Sequence, residues 1–166
     1  MKKLFSFLMI AFLGMIAISC VDRIDSPVND QDTYSVAYDL NNVSFTNNST
    51  TGYTISRTFN NPLYNGDVVL VYRMDGTTTN GSPIWQQIPR TLYLNQGELD
   101  YDFDFSKNDV QIYAGGTYDL ATTPQYINNQ TFRVVIVPAS TGKVDYSNYE
   151  AVASMLGITE KDIKKL

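Results

Sequence analysis

Two runs of the chain are apolar on nearly every position: Val68-Val69-Leu70-Val71-Tyr72-Arg73-Met74 and Phe132-Arg133-Val134-Val135-Ile136-Val137. Runs this short, apolar on both faces and rich in β-branched residues, predict strands at the centre of sheets covered on both sides. Around them the pattern is one of brief β-rich stretches separated by Asn, Gly, Thr and Pro. Strands are expected near Tyr34–Leu40, Val43–Phe45, Tyr53–Phe59, Ile84–Leu94, Leu99–Phe105 and Val110–Ala114. With the two central runs this predicts an all-β fold, an antiparallel sandwich of about 7–8 strands.

One hairpin can be read further. Leu99, Tyr101, Phe103 and Phe105 alternate with Asp100, Asp102 and Asp104, so the apolar set should face the core and the carboxylates water. On the preceding strand Leu92 and Leu94 form the apolar set. An odd loop would set leucines against aspartates, because a one-residue slip turns a strand over. An even loop is therefore predicted, of two residues (Gln96-Gly97) or four (Asn95 to Glu98), placing Leu94 opposite Leu99 and Leu92 opposite Tyr101.

The chain ends in a helical pattern. Tyr149, Val152, Ala153 and Leu156 recur at helical spacing, with Gly157 as the stop. Ser147 and Glu150 have the spacing of a capping box. Thr159 to Asp162 is expected to begin a second short turn, and Thr122 to Gln130 to hold one more turn of helix.

The N-terminus has a different texture. Lys2 and Lys3 precede an apolar run from Leu4 to Ile18 broken only by Ser6. Such a run is short for a membrane span, which needs ~20 residues, and suits a secretory signal. Two residues beyond it stands Cys20, the only cysteine in 166 residues. Ala17-Ile18-Ser19-Cys20 resembles the lipobox of bacterial lipoproteins, with Ala where Leu is usual. The resemblance implies a signal peptide over residues 1–19, diacylglycerol on the Cys20 thiol and cleavage before it. Two or more acyl chains then hold the protein stably at a bilayer. Residues 20–32 are polar, contain a proline and lack a period. They read as a tether with a reach of roughly 20 Å, followed by one domain over residues 33–166.

Charge and composition narrow the chemistry. Lys2 and Lys3 leave with the signal, so 10 basic groups face 17 acidic ones and the net charge becomes −7. That balance argues against nucleic acid as a partner. The sequence contains no histidine, which removes Ser-His-Asp and Cys-His nucleophile activation and the histidine-based zinc sites. Asp100-x-Asp102-x-Asp104 opens like a calcium loop, but Phe105 stands where glycine is needed and Gln111 where glutamate is needed. Gly76 to Gly81 has the glycine spacing of a phosphate loop without its lysine, and Ser140 to Lys143 fits S-x-x-K without partner motifs. No cofactor or metal site is expected.

Aromatic residues are the remaining signal: 12 Tyr and a single Trp. Most are expected to pack within and across strands. Trp85, between Pro83 and Pro89, and Tyr93 are the candidates for a binding surface.

As a whole, "GDVVLVYRMDG", "IWQQIPRTLYL", "DYDFDFSKNDVQIY", "TFRVVIVPA" and "VDYSNYEAVASMLGI" resemble small uncharacterised outer-membrane lipoproteins of the Bacteroidota. The resemblance implies lipid anchor, tether and β-sandwich at the cell envelope, and only Cys20 as a residue of known role. The expected function is a non-enzymatic binding or structural module with a protein or glycan partner, held to the outer membrane by its anchor. A fimbrial or assembly-type subunit and a carboxylate-based glycoside hydrolase are the alternatives.

Overall fold

A computed structural model describes residues 36–138 and 145–166. The signal segment, Cys20, the tether, Tyr34 and the Ser140–Lys143 motif lie outside the described residues. Among the described residues, ten strands and one α-helix follow in chain order: β1 Val36–Val43, β2 Thr46–Asn48, β3 Gly52–Thr58, β4 Val68–Thr77, β5 Pro83–Ile88, β6 Arg90–Leu94, β7 Gly97–Phe105, β8 Asp109–Gly116, β9 Gln130–Val137, α1 Tyr149–Leu156 and β10 Lys164–Lys165. They form two five-stranded sheets, β10-β1-β9-β4-β5 and β2-β3-β8-β7-β6. Every pairing is antiparallel except β1 with β10. The chain is an all-β sandwich with a short C-terminal helix.

The two apolar runs are β4 and β9, which lie side by side inside the first sheet. Their pattern follows from what covers each face. Val69, Val71, Phe132, Val134 and Ile136 point inward and join Leu99, Tyr101 and Ile112 of the second sheet in the main core. Leu70, Tyr72, Val135 and Val137 point outward, where Val152 of α1 and Ile158 cover them. Both faces are dry, so both read as apolar.

The chain passes between the sheets at two short corners. The stretch expected as one strand over Ile84–Leu94 is broken at Pro89, into β5 of the first sheet and β6 of the second. Proline has no N–H to give a ladder, so it sits where pairing ends; the Ile88–Pro89 peptide is cis. The second corner, Ser44-Phe45, replaces the strand expected at Val43–Phe45. Phe45 is buried there, and its N–H donates to the Ile127 carbonyl at 2.8 Å. Its ring lies 6.1 Å from Tyr101 and 5.9 Å from Phe132.

The β6–β7 loop is even, with the apolar residues of both strands on one face, but its register is shifted by two residues from the expected one. Asn95 and Gln96 form the turn, so Leu92 opposes Leu99 and Leu94 opposes Gly97. Gly97 makes this possible. It has φ 139°, and a Cβ there would come within 2.5 Å of Thr117 Oγ1. That same hydroxyl accepts from the Glu98 N–H at 2.9 Å.

Along β7 the expected alternation holds at its start and fades at its end. Leu99 and Tyr101 are fully buried, Phe103 is half-buried and Phe105 is 41% exposed, because β6 pairs with β7 only as far as Tyr101 and leaves the rest of the strand as an open edge; Val110, opposite Phe105 on β8, is buried. Thr91 donates to Asp100 at 2.6 Å, and the Tyr113 hydroxyl donates to Asp104 at 2.8 Å. At the end of the sandwich, Leu120–Thr122 and Pro124–Tyr126 form two 3-10 turns. The Tyr101 hydroxyl donates to the Tyr126 carbonyl at 2.7 Å, and its pKa is pushed up to about 12 by burial.

The cap of α1 differs from the expected box. Ser147 donates to Asp145 through both its N–H and its hydroxyl, so it is not free to cap. Asn148 takes the position instead, in extended conformation, its side chain accepting from the Ala151 N–H at 3.2 Å. Gly157 ends the helix with φ 64°. Beyond it Thr159 and Asp162 close a non-helical turn, where Asp162 accepts from both the N–H and hydroxyl of Thr159. Lys164-Lys165 then adds to β1 as a parallel strand.

Burial ranks the effects of truncation. Leu99→Ala should lower unfolding free energy by ~2–5 kcal/mol. Phe103→Ala should cost clearly less than that, being only half-buried, and Asp102→Asn should stay within ~0.5 kcal/mol. Chemical denaturation of the three variants checks the order; an Asp102→Asn loss equal to that of Leu99→Ala would reverse the assignment of faces.

Candidate functional site

A polar cluster centred on Arg133 lies on the outward face of the first sheet. Arg133 interrupts the apolar run of β9 and is 2% exposed. An isolated guanidinium could not be buried there, so its neighbours must neutralise it and take its protons. Asp39, directly opposite on β1, accepts from Nε at 2.7 Å and from one terminal nitrogen at 3.0 Å. Glu160, from the segment after α1, accepts from both terminal nitrogens at 2.8 and 3.0 Å. The Tyr149 hydroxyl accepts from the first terminal nitrogen at 2.6 Å. These five bonds match the five donors of a guanidinium.

Aromatic rings enclose the cation. Its central carbon lies 4.5 Å from the Trp85 ring centroid and 4.9 Å from that of Tyr149, within cation–π range. Tyr149 also meets Tyr72 edge-on at 5.3 Å. Tyr72 is fully buried, and its hydroxyl donates to the Tyr146 carbonyl at 2.6 Å. Burial raises the Tyr72 pKa, with Tyr149 and Asp145 adding to the rise. Burial is also the largest influence on Tyr149, whose pKa rises despite Arg133 beside it. Hydrogen bonds from Arg133 hold the Glu160 carboxyl below its usual range.

Trp85 therefore sits in a packed cluster, half-buried, with its Nε1 shielded from solvent and without an acceptor. Its edge also lines a groove of about 540 Å³ between the β4–β5 hairpin and the start of α1. Pro83, Ile84 and Trp85 give the groove an apolar side, and Thr78, Ser147 and Asn148 a polar one. Tyr93 belongs to a different place. It lies on β6 of the second sheet and is 81% exposed, so the two candidate aromatics share no surface patch by sheet or element. The aspartates of β7 project from the outer face of that second sheet, and among the described residues no three ligand-type side chains gather to hold a metal.

A second buried arginine, Arg73, is satisfied inside the sandwich. It donates to Gln130 at 3.0 Å and to Asp75 at 2.9 Å, and lies 4.8 Å from the Tyr101 ring centroid. Gln130 in turn donates to the carbonyls of Gln125 and Asn128, fixing the 3-10 segment. Among the described residues no helix is long and apolar enough to cross a membrane. No protein-family model, curated protein or solved structure matches the chain.

Sequence reasoning singled out Trp85 but not Arg133, Asp39, Tyr149 or Glu160. Arg133 carried a signal of its own, a charge inside a run apolar on both faces, which demands partners. Their positions in the chain gave no hint of which.

The lowered Glu160 pKa fixes the sign of a pH effect. Its ion pair contributes stability above the ordinary carboxyl value of 4.5 and loses it as pH falls through the lower folded value. The melting temperature of the wild-type chain should exceed that of Glu160→Gln by a constant margin at neutral pH. That margin should shrink below pH ~4.5. Arg133→Ala, which strands Asp39 without its partner, should cost ~3–5 kcal/mol, measurable by urea denaturation.

Proposed function

We propose that the protein is a lipid-anchored lipoprotein of the bacterial outer membrane whose β-sandwich serves as a non-enzymatic binding or structural module. The observation that carries the reading is the position of Cys20. It is the sole cysteine, placed at the end of a signal-like apolar run and preceded by small residues at Ala17 and Ser19. An unpaired thiol in an oxidising compartment is otherwise a liability, and acylation removes it.

The non-enzymatic part of the reading draws support from where carboxylates converge. Asp39 and Glu160 approach one another, as a hydrolytic pair would, but each gives both oxygens to Arg133. Carboxylate oxygens committed to a guanidinium in this way are not free to engage a substrate. The groove beside Trp85 offers the apolar side and hydrogen-bonding rim that a protein or glycan partner needs.

Cys20→Ser should leave the protein soluble on cell fractionation and unlabelled by radioactive palmitate, while the wild-type chain partitions with membranes and takes up the label. Membrane association and labelling unchanged by the substitution would remove the basis of the proposal.

A further inference from the structure

The Arg133 cluster contains one more carboxylate than charge balance requires. Asp39 alone neutralises the guanidinium, and it belongs to β1, paired along its length with β9. Glu160 comes from elsewhere, the ten-residue strap Gly157–Leu166 that follows α1. Its side chain is 70% exposed although the arginine it grips is 2% exposed. Glu160 thus reaches the cation from the solvent side.

The strap is held by a short ladder and by two partly buried side chains, Ile163 on the outer cluster and Leu166 on the main core. Its strand β10 pairs with β1 at two positions only, Tyr38 with Lys164 and Asp39 with Lys165. Lys164 and Lys165 are exposed, and the turn between Thr159 and Asp162 is closed within the strap. A hollow of about 430 Å³ bordered by Val36, Leu156, Ile158 and Lys161 lies beside it. Ile158, buried against the outer cluster, is the anchor at the helix end, so lifting the rest of the strap withdraws only the partly buried Ile163 and Leu166. Lifting the strap beyond that point leaves the guanidinium paired with Asp39 and Tyr149. Two of its N–H donors, one on each terminal nitrogen, would then be turned to solvent as a fork.

We propose that Arg133, with Tyr149 and Trp85 beside it, is a carboxylate-binding site that Glu160 fills as an internal ligand, and that a carboxylate of another molecule takes its place when the strap lifts. The proposal concerns the folded domain and does not depend on the lipid anchor. A tethered competitor acts at an effective concentration in the millimolar range, so the wild-type chain should bind free carboxylates weakly and the strap-free site more tightly.

The single tryptophan lies 4.5 Å from the Arg133 carbon and reports on the site by its fluorescence. In the full chain carrying Glu160→Ala, N-acetylglutamate amide (a side-chain carboxylate) and N-acetylglycine (a chain-terminal one) should each change that fluorescence saturably, against sodium chloride at equal ionic strength. The tighter of the two identifies the source of the natural carboxylate. The wild-type chain should need about tenfold more of either compound, and adding Arg133→Lys to Glu160→Ala should abolish saturation by removing the planar fork. A folded Glu160→Ala chain with no saturable response overturns the proposal. Hydrogen exchange in the wild-type chain decides the matter if that variant does not fold. The amides of Lys164 and Lys165 should exchange at least tenfold faster than those of β9, and equal rates would mean that the strap does not lift alone.

Discussion

A single buried cation organises the outer half of this domain. Arg133 could not remain on the covered face of β9 without acceptors for all its donors, and those acceptors come from three other elements. Asp39 fixes β1 beside it, Tyr149 seats α1 above it, and Glu160 brings the end of the chain back across the sheet. Trp85 closes the site from β5. The apolar residues around it, Leu70, Tyr72, Val135 and Val152, would pack a helix in several orientations. Hydrogen bonds to a planar guanidinium select one.

Such a cluster gives specificity of arrangement more than net stability. Removing a charge from water costs several kcal/mol per ion, which the pair interaction only partly offsets. The cation–π contacts and the saturation of every donor reduce the deficit. This separates the two buried arginines by purpose. Arg73 and Gln130 secure a loop at one end of the inner core, whereas Arg133 fixes the α1 layer on the outer face.

Much of the architecture was legible because it rests on local pattern. The runs at Val68–Met74 and Phe132–Val137 are apolar on both faces for a reason visible in either residue set alone, and Leu92, Leu94, Leu99 and Tyr101 fixed the parity of their hairpin. The misses have physical causes. Pro89 was the visible sign that Ile84–Leu94 must break, but which sheet receives the second half depends on packing. Gly97 moved the β6–β7 turn back to Asn95-Gln96 by accepting φ 139° as the first residue of β7, a conformation that the apolar pattern does not mark. The box at Ser147 lost to Asn148 because Asp145, two residues earlier, engages the serine. Phe103 and Phe105 were over-read because alternation gives a side chain's face and not how far the neighbouring strand β6 extends beside it. The Arg133 partners, at positions 39, 149 and 160, are joined only by the fold.

The two corners at Ser44-Phe45 and Pro89 have a mechanical meaning. Each joins a strand of one sheet to a strand of the other through one or two residues, and they lie towards opposite sides of the sandwich. The layers are thus laced together covalently at both margins. A shearing force that slides one sheet over the other must stretch these stitches at once, with Phe45 drawn out of the core. Load applied along the strands is therefore shared between the layers, as it is in a closed barrel, without the continuous hydrogen bonding that a barrel needs.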